Sequence, residues 1–454
     1  MLEPRHLTIS SPRICAPLSK LPRIRAPRRL RSGPGNRSGS LALSSSVEPE
    51  DLPLKERSRS GGALSGFRDA ILSGLRSPFA TQTGPGEAEH CLRRVLPLCR
   101  RARITRVADL TGLDRIGLPV VQVVRPAALS EVTSLGRGLA MSEAALGAIM
   151  ESLERFFAES VPAERVFLAS ADDIGLAEGL FEQLLAPGVG SNWRTREIHW
   201  ITGIDIATGA AEPVPLELVH TRYTEPPPAR DGLFIRTTTG LACHTSAYGA
   251  FLHGLFECIE RDAMARAFAT HGFFDRMRIA PSGLGDRVDR IGSVAGECGV
   301  SFGLWLAPSP TGVPVVWCQA IETGPGEPIL ALPTEGYAAG PSVAAAAASA
   351  MLEALSARAG AISGARDDQT RGHYRRSMDA VVSQARQLIV ERASTARYVS
   401  GEVPIVDDLA ALIEKTMAAR VGPILAVPVG SDCETGVHCV RVILPGATPF
   451  SILR

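Results

Sequence analysis

The sequence predicts an α+β or mixed α/β fold in which strand–helix units repeat. Two observations carry this. Candidate strands come in pairs separated by single helices. Three of those helices also spell one pattern: residues 145–155 (A-L-G-A-I-M-E-S-L-E-R), 250–261 (A-F-L-H-G-L-F-E-C-I-E-R) and 346–358 (A-A-A-S-A-M-L-E-A-L-S-A-R). Each has a leading glutamate: Glu151, Glu257 or Glu353. A small residue stands seven positions earlier (Ala144, Ala250, Ala346), and another stands three earlier (Ala148, Gly254, Ala350). Offsets of three, four and seven share a helix face. Each glutamate therefore shares a face with residues lacking bulk, where something approaches closely.

The remaining elements follow in order. Residues 1–60 are rich in Arg, Pro, Ser and Gly and lack apolar periodicity, so a disordered basic tail is expected there. Residues 1–40 hold nine Arg or Lys against a single acid, Glu3. The composition is also that of a transit peptide, although the prolines spoil an amphipathic helix, and a basic arm for nucleic acid or acidic protein stays open. Globular sequence begins near Gly61 and is read as one domain over 61–454, with an N-terminal part (61–135), a core (136–400) and a C-terminal part (401–454). A short helix is expected over 87–96, ending at Pro97. Strands are expected near Val107 and over 119–124, 198–206, 214–219, 233–237, 302–306, 313–320, 329–333 and 437–444, with a long polar helix over 376–393.

Bulk properties narrow the function. The 454 residues are 45% hydrophobic and 21% charged, with a net charge of +1. That balance does not advertise nucleic-acid binding. Nine cysteines without a C-x-x-C pair suit reduced thiols and a cytoplasmic setting, and signal no zinc site. No apolar run reaches the ~18 residues of a membrane span.

Repeated carboxylates followed by arginines point to metal ions and an anion such as a phosphate chain. Mg2+ takes octahedral oxygen ligands, usually a few carboxylates plus substrate phosphates. Glu151, Glu154, Glu257 and Glu260 are the candidate metal ligands. Arg155, Arg261, Arg358 and Arg366 offer bidentate contacts to phosphate oxygens. A plainer reading also exists for each copy: Glu151–Arg155 and Glu257–Arg261 are i,i+4 pairs, worth ~0.2–0.5 kcal/mol as surface salt bridges. Three matched copies weigh against it. There is no Walker A motif and no kinase H-R-D or D-F-G, so a nucleotide site here is of a less common kind.

At these residues the sequence resembles the YcaO family. The family's S-A-x-x-E-x-x-E-R is matched at Gly147, Ala148, Glu151, Glu154 and Arg155. G-L-A-A-G-N-T followed by E-x-x-E-R-D falls on residues 240–246 and on Glu257, Glu260, Arg261 and Asp262. R-A-x-x-E-A-x-Q-S-R with a following G-A-R-D-D falls on Ser349, Ala350, Glu353, Ala354, Ser356, Ala357 and Arg358, then residues 364–368. The upstream stretch I-T-R-V-A-D-L-T-G-L-D-R-I-G-L-P-V-V resembles the subgroup associated with the TfuA partner protein. The likeness runs from about Cys91 to Pro445.

The resemblance implies a YcaO-type fold whose glutamates hold Mg2+ and ATP. Arg137, Arg155, Thr245, Arg261, Glu353, Ser356, Arg358 and Arg366 are then implied ATP or phosphate contacts. Family members activate a peptide backbone amide by phosphorylating its oxygen after a nucleophile adds. A Cys, Ser or Thr side chain gives an azoline, whereas a sulfide donor gives a thioamide, typical of the TfuA-associated subgroup. Azoline-forming members usually end in P-x-P-x-P. This chain ends P-G-A-T-P-F-S-I-L-R, which favours thioamidation. The implied partners are a peptide or protein substrate and a TfuA-like protein, and a homodimer is compatible. The sequence departs from the family at Arg137 (for Lys), Gly147 (for Ser), His244-Thr245 (for Gly-Asn), Ser349 (for Arg) and Ser356 (for Gln). Thr245 and Ser356 each lose an amide donor. A non-catalytic scaffold that kept the fold is therefore the alternative, while a carboxylate metallohydrolase lacks any histidine spacing.

Other residues read as packing. Cys243-His244 invites a metal or nucleophile role but lacks further spaced ligands. Cys258 is expected to point away from its neighbouring glutamates. Asp262 either orients Arg261 or is solvated. The alanines of 344–348 suit tight helix packing. Arg371, His373, Tyr374, Arg375 and Arg376 read as a solvated loop.

Overall fold

A computed structural model describes residues 57–79, 85–325, 328–364, 380–401 and 403–450. Helix α1 (Arg57–Leu72) starts four residues before the expected boundary, and the rest of the basic tail lies outside the described residues. Helix α2 (Pro85–Arg101) runs through Pro97 instead of stopping there. Proline removes one helical N–H, but Val95 and Leu98 on either side are fully buried against the next helix, and that packing outweighs the lost bond.

Then come β1 (Arg106–Asp109), β2 (Val120–Val124), β3 (Thr133–Arg137) and helix α3 (Met141–Glu159), which carries the first glutamates. Strands β4 (Val166–Ala169), β5 (Ile198–Asp205), β6 (Ala211–Pro215) and β7 (Leu241–His244) lead to helix α4 (Ala247–Ala269), with the second. After α5 (Phe273–Arg276), β8 (Arg278–Ile279), α6 (Asp286–Glu297), β9 (Val300–Ala307), β10 (Val315–Glu322) and β11 (Thr334–Ala339) comes α7 (Val343–Ile362), with the third. Helices α8 (Ala380–Arg386) and α9 (Leu409–Ala418) and strands β12 (Leu425–Asp432) and β13 (Val437–Ile443) complete the described chain.

The strands form three antiparallel sheets: β1-β2-β3, β11-β10-β9-β8, and β4-β5-β12-β13-β7 with β6 on β5. The repeat lies in how they end. Strands β3, β7 and β11 are each the edge of a sheet, and each turns at once into a glutamate helix. Helix α3 packs on β3 and β7, α4 on β7 and β11, and α7 on β11 and β3. Helices and edge strands thus alternate around a closed ring. Ser246 and Ser342 cap α4 and α7 by accepting the Gly249 and Ala345 N–H groups. At α3 the Glu143 carboxylate does the comparable work by accepting the Leu139 N–H at 2.9 Å.

The small residues on the glutamate faces receive backbone. A Cβ built on Gly136 of β3 would lie 1.9 Å from the Ala144 carbonyl and 2.2 Å from the Ala148 nitrogen. One on Gly336 of β11 would meet the Ala350 carbonyl at 2.1 Å, and one on Gly254 would meet the Gly240 carbonyl at 2.6 Å. What approaches the bulkless faces is therefore a glycine of the preceding strand rather than a ligand. Ala346, Ala347 and Ala348 are buried in the same kind of packing.

Several strand expectations shift. The run at 214–219 is strand only to Pro215 and then a 3-10 turn, Leu216–Leu218. Residues 233–237 give only an isolated bridge between Leu185 and Phe234. The buried Glu217 carboxylate takes the N–H groups of Gly232, Leu233 and Phe234, so they are not free for a ladder. The apolar 329–333 stretch is irregular, and pairing to β10 begins at Thr334. The expected helix at 376–393 is partly outside the described residues. Its described part is α8, a π turn over Gln387–Glu391 and a 3-10 turn over Ala393–Thr395. No described helix is long and apolar enough to cross a membrane.

Candidate functional site

The ring brings the carboxylates of Glu151, Glu154, Glu257, Glu260 and Glu353 into one electrostatic neighbourhood. Edge strands explain how they are held, because each leaves N–H groups unpaired on its open side. Glu151 Oε2 accepts the Leu135 N–H at 3.1 Å. Glu154 Oε1 accepts the Cys243 N–H at 3.0 Å, and Glu257 Oε2 accepts the Gly240 N–H at 3.0 Å. Glu353 instead pairs with Arg137 of β3 at 2.9 Å, which links the first unit to the third. Each glutamate on this list spends one oxygen on the frame. The second oxygens of Glu151 and Glu257 face Arg155 (3.1 Å) and Arg261 (3.6 Å), and the Glu151, Glu257 and Glu353 side chains remain 37%, 27% and 26% exposed.

Crowding shows in the acidities. Burial raises the Glu154 carboxyl well above the usual range, and the Glu151 and Glu257 carboxylates add to it. Burial likewise raises Glu151, against the pull of Arg155. Glu257 is raised by burial, with Glu353 adding to it. Glu260 is pushed up to about 8 by burial, Glu353 and Glu257, against the pull of Arg261. Burial works against the Arg261 charge, yet Glu260, Glu257 and Glu353 hold its pKa above the ordinary arginine value. A donor set with this much unrelieved negative charge suits a cation. Among the described residues no three carboxyl, imidazole or thiol groups converge as a ready-made metal site. Mg2+ usually takes one or two carboxylates and completes its shell with water and phosphate.

The arginines divide. Arg261 lies 3.2 Å from Glu260 and 3.6 Å from Glu257, with its guanidinium about over the rings of Tyr337 (5.8 Å) and Phe450 (5.9 Å). Arg137 is 34% exposed beside Glu353. Arg155, by contrast, is buried. Its Nη1 donates to Thr133 O and Ser134 Oγ, and its Nη2 to Glu131 and Glu151. Arg358 is also buried and pairs with Glu322 at 2.6 Å. The Ser356 hydroxyl donates to its own helix at Glu353 O, at 3.0 Å. Thr245 Oγ1 lies 3.8 Å from Cys91 Sγ of α2. The structure thus gives Arg155, Ser356, Arg358 and Thr245 protein partners, while Arg137 and Arg261 stand among the carboxylates. Arg366, the rest of 365–368 and the 371–376 cluster lie outside the described residues.

Neighbouring residues resolve as follows. Cys258 is buried and donates to Val442 O, away from the carboxylates. Burial drives the His244 pKa down to about 4, helped by His253 and His438, so it is a neutral packing residue. Asp262 neither orients Arg261 nor faces solvent: it is buried, pairs with Arg266 and accepts the Thr448 N–H at 2.7 Å. Sequence reasoning missed Arg441, whose charge acts on Glu257 from β13. No motif marked it, because it sits in a strand remote from the glutamates in sequence.

A family model described as YcaO cyclodehydratase, ATP- and Mg2+-binding, matches residues 135–448. An uncharacterized protein of Methanothermobacter thermautotrophicus is 30% identical over 359 residues, covering 77% of this chain and 91% of that protein. A protein of Rhizobium leguminosarum bv. trifolii, named for its place in the tfuA 3' region, is 28% identical over 368 residues, covering 78% of this chain and 85% of that protein. YcaO from Methanopyrus kandleri, bound with AMPPCP and Mg2+, matches in fold with a TM-score of 0.58 at 20% identity, over 79% of this chain and 91% of that chain. A heterocyclase in complex with substrate and cofactor gives 0.59 at 13% identity, over 84% of this chain and 56% of that chain.

Proposed function

The chain belongs to the YcaO family, an ATP- and Mg2+-binding family, and from that premise we propose that it activates a backbone amide of a peptide or protein with Mg-ATP. The observation that carries this is the ring: five glutamates from three helices in one field, three of them braced by edge-strand N–H groups. When bound, ATP supplies the phosphoryl group that makes an amide oxygen a leaving group, and Mg2+ offsets the phosphate charge.

The chain's own residues position and neutralise. Glu151, Glu154, Glu257 and Glu260 are the proposed metal ligands. Backbone N–H groups fix the carboxylate planes of Glu151, Glu154 and Glu257, and Arg261 pairs with Glu260, before a cation arrives, so little ordering remains at binding. Arg137 and Arg261 are the proposed phosphate contacts, being the arginines that stand among the carboxylates. Arg155 and Arg358 act behind them: Arg155 holds Glu151 against β3, and Arg358 ties α7 to β10 through Glu322. Arg366 remains a proposed phosphate contact on the motif alone. Thr245 and Ser356 stand where the family carries amides and offer only hydroxyls.

Thioamide formation with a TfuA-like partner is the favoured outcome. It is supported by the relative from the tfuA 3' region. Azoline formation is the second reading, favoured by the family description and by a heterocyclase of the same fold. Co-expression with a candidate peptide and mass spectrometry separates them. Exchange of sulfur for oxygen supports the first, loss of water the second, and an unmodified peptide with no ATP turnover leaves a scaffold.

A further inference from the structure

Beside the carboxylate ring lies a pocket between β13, the 233–239 stretch and residues 447–450, and Arg261 and Arg441 both line it. Arg441 is 4% exposed. Its Nη2 donates to Thr237 O at 2.7 Å, while its buried Nε and Nη1 have no hydrogen-bond partner among the described residues. No carboxylate lies within ion-pair distance of it among the described residues. A buried guanidinium with unmet donors is costly unless something supplies the missing acceptor. The lining also includes the aliphatic side chains of Leu184, Leu218, Ile235 and Leu444 and the threonines Thr237, Thr239 and Thr448.

We infer that this pocket binds a carboxylate on an aliphatic stem, with Arg441 gripping the charged end and the leucine and isoleucine side chains covering the stem. A guanidinium pairs bidentately with a carboxylate. Phosphate, charged on every side, would leave the aliphatic walls against an ion that prefers donors all round. The identification of the bearer rests on the function proposed above: an acidic residue beside an aliphatic one in the peptide substrate would seat here, next to the ring that activates an amide. Arg441 is then a substrate-specificity residue that the helix motifs do not contain.

The test uses the full chain and three probes, 4-methylvalerate, 4-methylvaleramide and inorganic phosphate, by calorimetry or ligand-observed NMR. The carboxylate is expected to bind at least tenfold more tightly than the amide and than phosphate. Arg441→Gln should remove that preference, and Arg441→Lys should keep part of it. If Arg441→Gln fails to fold by circular dichroism, Thr239→Val serves instead and should weaken the carboxylate alone. Equal binding of acid and amide, tighter binding of phosphate, or wild-type behaviour of the folded Arg441 variants would overturn the inference. Mg-ATP binding is measured on the same samples. Carboxylate binding without Mg-ATP binding would leave the pocket standing and remove the proposed function, and the reverse result would do the opposite.

Discussion

Glu151-x-x-Glu154-Arg155 and Glu257-x-x-Glu260-Arg261 are one motif written twice, yet their arginines live in different surroundings. Arg155 is buried and spends both terminal nitrogens on four protein oxygens. Arg261 faces two carboxylates and two aromatic rings, at the border of a pocket. The cause is the neighbouring strand. Strand β3 offers α3 the acceptors Thr133 O and Ser134 Oγ, whereas α4 meets Tyr337 of β11 and Phe450 of the C-terminal stretch. A repeated motif thus becomes frame in one copy and site in the other. The difference teaches that the packing partner, not the motif, decides whether a charge is free for a ligand.

The largest expected effect separates site from frame at the carboxylates. Glu154→Gln keeps an oxygen for the Cys243 N–H, so the fold should survive, while ATP turnover should fall by about 100-fold or more. Steady-state hydrolysis with a circular-dichroism melt reads both, and wild-type turnover would remove Glu154 from the site.

Next come the two arginines themselves. Arg155→Ala strands buried acceptors and should cost about 3 kcal/mol of stability in a denaturant melt. Arg261→Ala should cost less stability but weaken Mg-ATP binding by about tenfold. Equal stability losses would erase the contrast between the copies.

The close approach of strand to helix gives a third break. Gly336→Ala would put a Cβ 2.1 Å from the Ala350 carbonyl, and about 1–3 kcal/mol should be lost. A melting temperature equal to wild type would show that the strand does not need this glycine.

The pH response sharpens the comparison further. Glu260 has its folded pKa raised from 4.5 to about 8, so the folded state holds the extra proton between those values. That contribution to stability is complete below pH 4.5 and is lost as pH rises to about 8. His244 works the other way: its pKa falls from 6.5 to about 4, so its contribution is present above pH 6.5 and lost on acidification towards pH 4. The metal-free protein should therefore melt lower at pH 8 than at pH 6.5, and the stabilisation from Mg-ATP should widen over that interval. A gap independent of pH would contradict the crowded carboxylates. The smallest effect is expected at Ser356→Ala, which removes only a hydroxyl bonded to its own helix and should change stability by less than about 1 kcal/mol.

Much of this was legible in the sequence, for physical reasons. Offsets of three, four and seven placed the glutamates on helix faces, and the small residues announced close packing. The sequence did not say what packs there, because Gly136 and Gly336 sit in strands that carry little apolar signal. Strand β11 reads T-E-G-Y-A-A, and it begins after the apolar run at 329–333 that carries the stronger strand signal. The strand expected at 233–237 failed because a side chain, Glu217, took its backbone donors. Arg441 and the Arg358–Glu322 pair are contacts between distant segments, and neither helical period nor strand alternation encodes such meetings.

The most direct measurement is a calorimetric titration of the full chain with AMPPCP, with and without Mg2+, for wild type and Glu257→Gln. The glutamine keeps an acceptor for the Gly240 N–H, so the frame stays closed. Magnesium-dependent binding in wild type, weakened at least tenfold in Glu257→Gln, is the predicted result. Binding that ignores both Mg2+ and the substitution, or no binding at millimolar nucleotide, would contradict a nucleotide site built from the glutamate ring.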